Sequence, residues 1–175
     1  MYKVLIETSL NDLLIILIKN STTIGYVHKQ NLVKKSETLP NDFAKLLSDH
    51  HLQTKDIEQF YITLGPGSFM GARVSLVFVR TICQITLAEL WTTSSLMFIS
   101  GGHDGKYYID AKSNQSYEGI VTDGQINIQL TSYNNHSVVN YQMIIDNVQD
   151  YLQLFSKETN LLNIKPLYLK SPKVG

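Results

Sequence analysis

The chain has 175 residues with a formal net charge of zero; 43% of them are hydrophobic and 17% are charged. This size fits one domain or two small lobes, and the hydrophobic content excludes a mainly disordered chain. The balanced charge gives no sign of a nucleic-acid-binding or membrane-surface protein, because both usually carry a basic excess. The single cysteine, Cys83, excludes an internal disulfide and is expected to behave as a small buried hydrophobic residue.

The first thirty residues predict an antiparallel meander of three strands. Runs of β-formers at Tyr2–Thr8, Asp12–Lys19 and Thr22–Lys29 are separated by short polar turns. The second run is apolar at consecutive positions, which is typical of a strand buried on both faces.

The next segment alternates helices and strands. A helix is predicted from about Pro40 or Asn41, because Phe43, Leu46, Leu47 and His50 share one helical face. A strand over 56–65, a helix over 70–88 and a short strand over 90–94 follow. The resulting order, β-β-β-α-β-α-β, is the layout of a ribonuclease H-like lobe, which actin-like ATPases use twice.

The second half of the chain repeats the start of this layout. Three strand candidates lie at 106–111, 116–122 and 125–133, and Asp123-Gly124 predicts a tight hairpin between the last two. A helix is predicted over 146–156 and a final strand over 166–170. We therefore predict an α/β chain with a two-lobed actin-like ATPase (ribonuclease H-like) fold, a first lobe over 1–100 and a shortened second lobe over 101–175.

A glycine-rich turn, LGPGSFMGAR, joins the fourth predicted strand to the long helix. It is not a dinucleotide fingerprint, which follows the first strand of a βαβ unit, and the Walker pattern is absent. The backbone N–H groups at the helix start could hold an anion, although Pro66 removes one of them. We favour a structural turn, formed by Gly65, Pro66, Gly67 and Gly71.

Actin-like ATPases hold phosphates in two hairpins, each with an acidic residue followed by glycine. The corresponding turns here contain Glu7 and Ser9 in the first half and Asp110 in the second, without the glycines. These hairpins are interpreted as degenerate. The five histidines show no zinc-binding spacing and no catalytic triad can be assembled. We therefore predict no catalytic residues, metal site or cofactor in this chain.

The helix after the turn is apolar over more than half of its circumference. Val74, Phe78, Ile82 and Ile85 form one stripe, and a second contains Leu76, Val79, Cys83 and Leu87. Such a helix needs cover on two sides: the sheet supplies one, and the rest of the chain or a second protein supplies the other. The predicted partner-binding surface consists of Phe43, Arg73, Leu76, Val77, Arg80, Cys83 and Gln84.

Several motifs resemble those of the TsaB (YeaZ) family, in order and over nearly the whole chain. They are VLIETS, GPGSFMGAR, SSLMFIS, YYIDAKSNQSYEGIV and PLYLK. Family members usually carry Asp at Glu7, Thr at Met70 and Arg at Lys112 and Lys170; Lys35-Ser36 stands where many have His followed by Ser or Thr. The chain resembles a short, mollicute-like member.

The start of the chain does not resemble a signal peptide and the longest apolar runs, Leu13–Ile18 and Val74–Val79, are too short for a membrane span, so a cytoplasmic protein is expected. The resemblance implies a non-catalytic subunit. Such subunits bind TsaD and TsaE in the complex that transfers threonylcarbamoyl to adenosine 37 of tRNA. ATP and metal would be held by the partner subunits, tRNA would be reached through the complex, and the surface that binds TsaD would also form a homodimer. Two alternatives remain open: an actin-like ATPase or kinase, and a zinc peptidase of the glycoprotease type.

Overall fold

Residues 1–170 are described by a computed structural model. Two β-sheets and five α-helices account for most of this part of the chain. The strands are β1 Tyr2–Glu7, β2 Leu13–Lys19, β3 Thr22–Lys29, β4 Ile57–Thr63, β5 Glu89–Thr93, β6 Gly105–Lys112, β7 Gln115–Thr122, β8 Gln125–Thr131 and β9 Ser156–Lys157. The helices are α1 Lys35–Asp49, α2 Phe69–Thr86, α3 Ser95–Ser100, α4 Tyr141–Asp146 and α5 Val148–Leu152.

The larger sheet, sheet A, has the strand order β3-β2-β1-β4-β5-β9. β1 pairs antiparallel with β2 and parallel with β4, and β4 pairs parallel with β5, as the predicted layout requires. The apolar run of β2 is explained by burial on both faces. Leu13, Ile15 and Leu17 belong to the core under one face, and the alternate residues belong to the core under the other.

Helices α1 and α2 cover one face of sheet A. The edge-on ring pair Phe43–Phe78, with centroids 5.3 Å apart, joins the two helices. The predicted start of α1 is wrong: the helix begins at Lys35 and contains Pro40, which lies on its exposed side. Burial of Lys35 and Leu39 extends the sheet-facing stripe one turn before the predicted start, and this tertiary contact outweighs the helix-breaking tendency of proline.

The opposite face of sheet A is covered by helices from the second half of the chain. The predicted helix over 146–156 is instead two short helices, α4 and α5, and its apolar side chains pack on Leu5, Ile16 and Tyr61 of the large sheet. The predicted last strand at 166–170 is also not a strand, and the short β9 joins the edge of sheet A instead. Sheet A is therefore the centre of the molecule. Of the predicted second lobe, residues 171–175 lie outside the described residues.

The smaller sheet, sheet B, is the antiparallel meander β6-β7-β8. Its hairpin at Asp123-Gly124 has positive φ angles at both residues, as the sequence predicts. Leu96 of α3, together with Leu10, packs on Ile109 and Tyr117 of sheet B. This small core joins the two sheets and leaves a cleft beside it.

Helix α2 is the one helix among residues 1–170 that is long and apolar enough to cross a membrane, by length and composition alone. The core helix of a globular protein passes the same test, and one side of α2 packs on sheet A.

Candidate binding cleft and helix face

An open cleft of about 940 Å³ lies between the two sheets, beside the ends of β1 and β6. The turn after β1, the glycine-rich turn before α2 and the hairpin after β6 form its walls. This is the position that the predicted phosphate hairpins occupy, so their geometry decides whether the cleft can hold a nucleotide.

The first hairpin is closed around the carboxylate of Glu7, which is fully buried. Glu7 Oε1 accepts hydrogen bonds from the Ser9 N–H at 2.7 Å, the Ser9 hydroxyl at 2.5 Å and the Thr63 hydroxyl at 2.9 Å. The Leu10 N–H donates to the same oxygen at 3.1 Å, and Ser95 Oγ lies 2.5 Å from Ser9 Oγ. Burial raises the pKa of Glu7 above its usual value, although these hydrogen bonds oppose the shift. The N–H groups of Ser9 and Leu10, which would bind phosphate in such a hairpin, already donate to Glu7.

The ammonium group of Lys35 binds the backbone of the same hairpin. The side chain of Lys35 is buried, and its Nζ donates to the carbonyl oxygens of Thr8, at 2.8 Å, and Leu10. Burial lowers the pKa of Lys35, while the charges of Glu7 and Asp12 oppose the shift. The Lys35 ammonium group is therefore built into the hairpin, at the position where many members of the TsaB family have histidine.

The glycine-rich turn packs directly on this hairpin. The Ser68 N–H donates to the Ser9 carbonyl at 2.6 Å, and the Thr8 hydroxyl donates to the Gly71 carbonyl at 2.6 Å. A Cβ at Gly67 or Gly71 would overlap the carbonyl oxygen of Ser9 or Thr8. These two glycines thus allow close approach to protein backbone. Gly65 has a φ of 91° before a cis peptide bond to Pro66.

The second hairpin is closed in a similar way. The Lys112 N–H and Nζ both donate to the carboxylate of Asp110, each at 2.8 Å, and these hydrogen bonds lower the pKa of Asp110. Lys170 Nζ donates to the carbonyl oxygens of Ala111 at 3.1 Å and Lys112 at 3.4 Å. Each hairpin thus has a lysine ammonium group on its carbonyls and an acidic side chain on its N–H groups.

This arrangement is poorly suited to a polyphosphate, which needs free N–H donors. Residues 1–170 contain no group of three or more His, Cys, Asp or Glu side chains placed to hold a metal ion. The sequence identified Glu7, Ser9 and Asp110 but missed Lys35, Thr63 and Ser95. The departure from the family pattern at Lys35 was the one signal that could have revealed it.

The predicted partner-binding residues on α2 are divided by the fold. Arg73, Val77 and Gln84 are exposed and Arg80 is half-buried. The prediction is wrong for three other residues, which are buried in the core: Phe43, Leu76 and Cys83. Burial also raises the pKa of the Cys83 thiol to about 12. The stripe of α2 that faces the core is the one that contains Leu76, Val79 and Cys83.

Three exposed apolar residues lie on the outer side of α2; the prediction included Val77 and missed Met70 and Ile85. Met70 is 63%, Val77 52% and Ile85 78% exposed. We define the outer strip of α2 as Met70, Arg73, Val77, Thr81, Gln84 and Ile85. Three large apolar side chains on one helix face form an uncovered surface of the kind that binds other proteins.

Solved structures share this architecture. No protein-family model matches the chain. A structure described as YeaZ from Pseudomonas aeruginosa superposes with a TM-score of 0.63 at 15% identity, over 74% of this chain and 65% of that one. A protein described as similar to the peptidase YeaZ from Pseudomonas aeruginosa has a TM-score of 0.74 at 12% identity, over 97% of this chain and 99% of that one. The chain has the YeaZ fold.

Curated relatives are small mycoplasma proteins. MG208 of Mycoplasma genitalium is 27% identical over 98% of this chain and 96% of its own length. Its Mycoplasma pneumoniae homologue is 26% identical over the same shares. The predicted actin-like fold and the resemblance to a short YeaZ protein are thus confirmed. The chain spans just under two thirds of the Pseudomonas aeruginosa YeaZ structure.

Proposed function

We propose that this chain is a non-catalytic, TsaB-type subunit that binds a TsaD-like protein, together with a TsaE-like protein, in the complex that transfers threonylcarbamoyl to adenosine 37 of tRNA. The YeaZ fold supports this role. The observation that carries the proposal is the outer strip of α2, where Met70, Val77 and Ile85 are exposed beside a helix face that is otherwise packed on the sheet. The closed hairpins agree with a subunit that leaves ATP and metal to its partners.

The outer strip is the surface that we assign to the partner. Its aliphatic centre would be desolvated on binding, and Arg73 at its edge supplies a long side chain of a type enriched at interfaces. A second copy of this chain could use the same surface when the partner is absent.

The proposal is tested by charging the centre of the strip. Val77→Glu combined with Ile85→Glu should weaken capture of a TsaD-like partner by roughly tenfold or more, because two carboxylates would lose their hydration in the interface. Both positions are exposed, so the fold should be retained. Asn127→Glu, on the exposed side of sheet B, is the matched control and should bind normally.

Unchanged partner binding by the double variant, with a native circular dichroism spectrum, would contradict the assignment of the surface. Co-purification with the TsaD-like and TsaE-like proteins, followed by tRNA modification with and without this chain, tests the role itself. Modification at an unchanged rate without the chain would overturn the role.

The alternative of an actin-like ATPase is favoured by one observation, the position of the cleft. An ATPase would be stabilised against heat by Mg-ATP, in proportion to the logarithm of ligand concentration over its dissociation constant. We expect an unchanged melting temperature, because the hairpin N–H groups of Ser9, Leu10 and Lys112 are already used.

A further inference from the structure

The two sheets of residues 1–170 end in four edge strands: β3 and β9 in sheet A, and β6 and β8 in sheet B. An edge strand presents unpaired N–H and C=O groups, and a strand of another molecule can pair with them unless charges, bulges or covering segments prevent it. The edge β9 is protected by its length, because it has only two residues and one of them is Lys157. The other three edges differ in how far the rest of the chain covers them.

The edges β3 and β6 are partly covered by other segments. His50 Nε2 lies 2.9 Å from the Ile24 carbonyl oxygen of β3, and the pairing of β3 with β2 shifts register after Leu17. On β6, the Ser137 N–H donates to the Tyr108 carbonyl at 2.8 Å, and the Tyr108 N–H donates to Ser137 Oγ at 2.9 Å. Backbone groups of both edges are therefore already bonded to covering segments.

The edge β8 has none of these protections. All seven of its residues, Gln125–Thr131, are uncharged, and none is proline. Its pairing with β7 keeps one register over this whole length, and no backbone hydrogen bond links it to another segment of residues 1–170. A regular, uncharged strand with a free edge is the form that pairs most readily with another strand.

The side chains of β8 alternate between an apolar row and an amide row. Ile126 and Ile128 contact the small core that joins the two sheets, and Leu130, on the same side of the strand, is 38% exposed. The other side of the strand carries three amides: Gln125, Asn127 and Gln129. A strand with the same alternation would continue both rows and would cover the exposed part of Leu130.

We propose that β8 pairs antiparallel with β8 of a second copy of this chain, so that the three-stranded sheets of the two copies join into one. In the register with the two-fold axis at Ile128, Ile126 would lie opposite Leu130 of the second copy. In the same register, Asn127 would lie opposite Gln129 of the second copy, within reach of a hydrogen bond between the two amides. The pairing thus matches apolar with apolar and amide with amide.

The absence of charge favours a second copy over an unrelated partner. Unrelated partners are commonly selected by complementary charge, which β8 lacks. The nearest charged residue is Asp123, and the register places it beside Tyr133 of the second copy, so that no like charges meet. The contact is the same on both copies, so it closes at a dimer and does not continue into a fibre.

This surface is separate from the outer strip of α2, because β8 belongs to sheet B whereas α2 packs on sheet A. The dimer therefore does not depend on the proposed function, and a partner on the outer strip leaves β8 free. Two strands of this length bury less than about 1,200 Å², the lower end for stable interfaces. The dimer should therefore dissociate at micromolar to millimolar concentrations.

Sedimentation equilibrium tests the proposal with the full chain carrying Val77→Glu and Ile85→Glu, which removes association through the outer strip. The weight-average mass should rise from that of a monomer towards that of a dimer between about 10 µM and 1 mM. Hydrogen exchange locates the contact: amides of Gln125–Thr131 should exchange more slowly as the concentration rises, whereas those of Thr22–Lys29 should not change.

Leu130→Lys, added to this double variant, should raise the dissociation constant of the dimer at least about tenfold. Its ammonium group would point inward, against Ile126 of the second copy. Val33→Lys is the matched control, because Val33 is an aliphatic residue outside both sheets, 93% exposed, and the change of charge is the same. The control should dimerise as the double variant does.

A mass that stays monomeric up to about 1 mM would overturn the proposal, and so would a dimer that Leu130→Lys leaves unchanged or slower exchange that is absent from β8. If Leu130→Lys proves unfolded by circular dichroism, Asn127→Lys replaces it, because Asn127 is exposed on the amide side of the strand. Two ammonium groups would then lie diagonally across the axis. The same loss of dimer is expected, and an unchanged dissociation constant would count against the pairing.

Discussion

Lys35 shows how a single residue can close a binding site. Its ammonium group is bound to the Thr8 and Leu10 carbonyls and lies near the buried carboxylate of Glu7. A buried ammonium group is unfavourable without such partners, and a buried carboxylate is unfavourable without the ammonium group. The two residues therefore depend on each other, and together they hold the hairpin in a form that needs no ligand.

Replacing Lys35 by methionine should destabilise the chain by about 3 kcal/mol, because the carboxylate of Glu7 and two carbonyls would lose their cation. Urea unfolding followed by circular dichroism measures the change. Lys34→Met, at an exposed neighbouring position, is the matched control and should stay within about 0.5 kcal/mol of the parent. Equal stability of the two variants would show that the ammonium group does not hold the hairpin.

At the scale of elements, the glycine-rich turn and α2 form one unit that packs on the first hairpin. The Ser68 hydroxyl caps the helix by accepting from the Gly71 N–H at 3.1 Å. The helix then presents one face to the sheet and the outer strip to solvent. The close backbone contact at Gly67 and Gly71 fixes the direction in which the helix leaves the hairpin, and thereby the position of the outer strip.

Gly71→Ala should change the stability of the chain through two opposing effects, a higher helix propensity and a steric overlap. Alanine is favoured over glycine inside a helix by about 1 kcal/mol, but the added Cβ would overlap the Thr8 carbonyl oxygen. A backbone atom cannot move as a flexible side chain does, so we expect a net destabilisation of about 1–3 kcal/mol. Thr81→Ala, on the exposed side of α2, should change stability by less than about 0.5 kcal/mol.

Thermal unfolding of these two variants measures the difference. A Gly71→Ala chain as stable as the parent would mean that the turn can move away from the hairpin, and the glycines would then need another explanation. Partner capture by the same variant would show whether displacement of α2 also disturbs the outer strip.

In the whole molecule, two buried glutamates on different sheets, Glu7 and Glu118, respond to acid in opposite directions. Glu118 of sheet B accepts from Gln129 at 2.5 Å, Tyr133 at 2.9 Å and Tyr108 at 3.0 Å, and these bonds lower its pKa below 4.5. A lowered folded-state pKa stabilises the fold above the unfolded value, and this contribution is lost as the pH falls through the folded value. The raised pKa of Glu7 has the opposite sign: the stability it contributes is lost as the pH rises.

Acidification below pH 4.5, the unfolded-state value of both groups, should therefore loosen β8, which pairs with the strand of Glu118, before β2, which pairs with the strand of Glu7. Amide NMR signals of Gln125–Thr131 should lose dispersion at a higher pH than those of Leu13–Lys19. Glu118→Gln should make stability less dependent on pH in this range, while Glu37→Gln, exposed on α1, should not. Simultaneous loss of both sets of signals would contradict the prediction.

Local sequence determined β1 to β8, α1 and α2 and their order, but not α3, the division into α4 and α5, or β9. The consecutive apolar residues of β2, the Asp123-Gly124 turn and the apolar stripes of α2 act over short distances, so propensity and periodicity predict them. The placement of β1 to β5 in one sheet followed from the same pattern, whereas the pairing of β9 with β5 did not. The sequence also indicated that the phosphate hairpins are degenerate, because the glycines that a cradle requires are absent from the turns themselves.

Only the tertiary structure decided what fills those hairpins and which side of α2 is exposed. Lys35, Thr63 and Ser95 reach the first hairpin from three separate segments, and no local pattern connects them with Glu7. The exposed side of α2 depends on which of its apolar residues contact α1 and sheet A. On a helical wheel, several rotations of the helix would bury equally apolar faces. Packing selects one of them, because the close contact at Gly71 and the Phe43–Phe78 ring pair fit a single orientation.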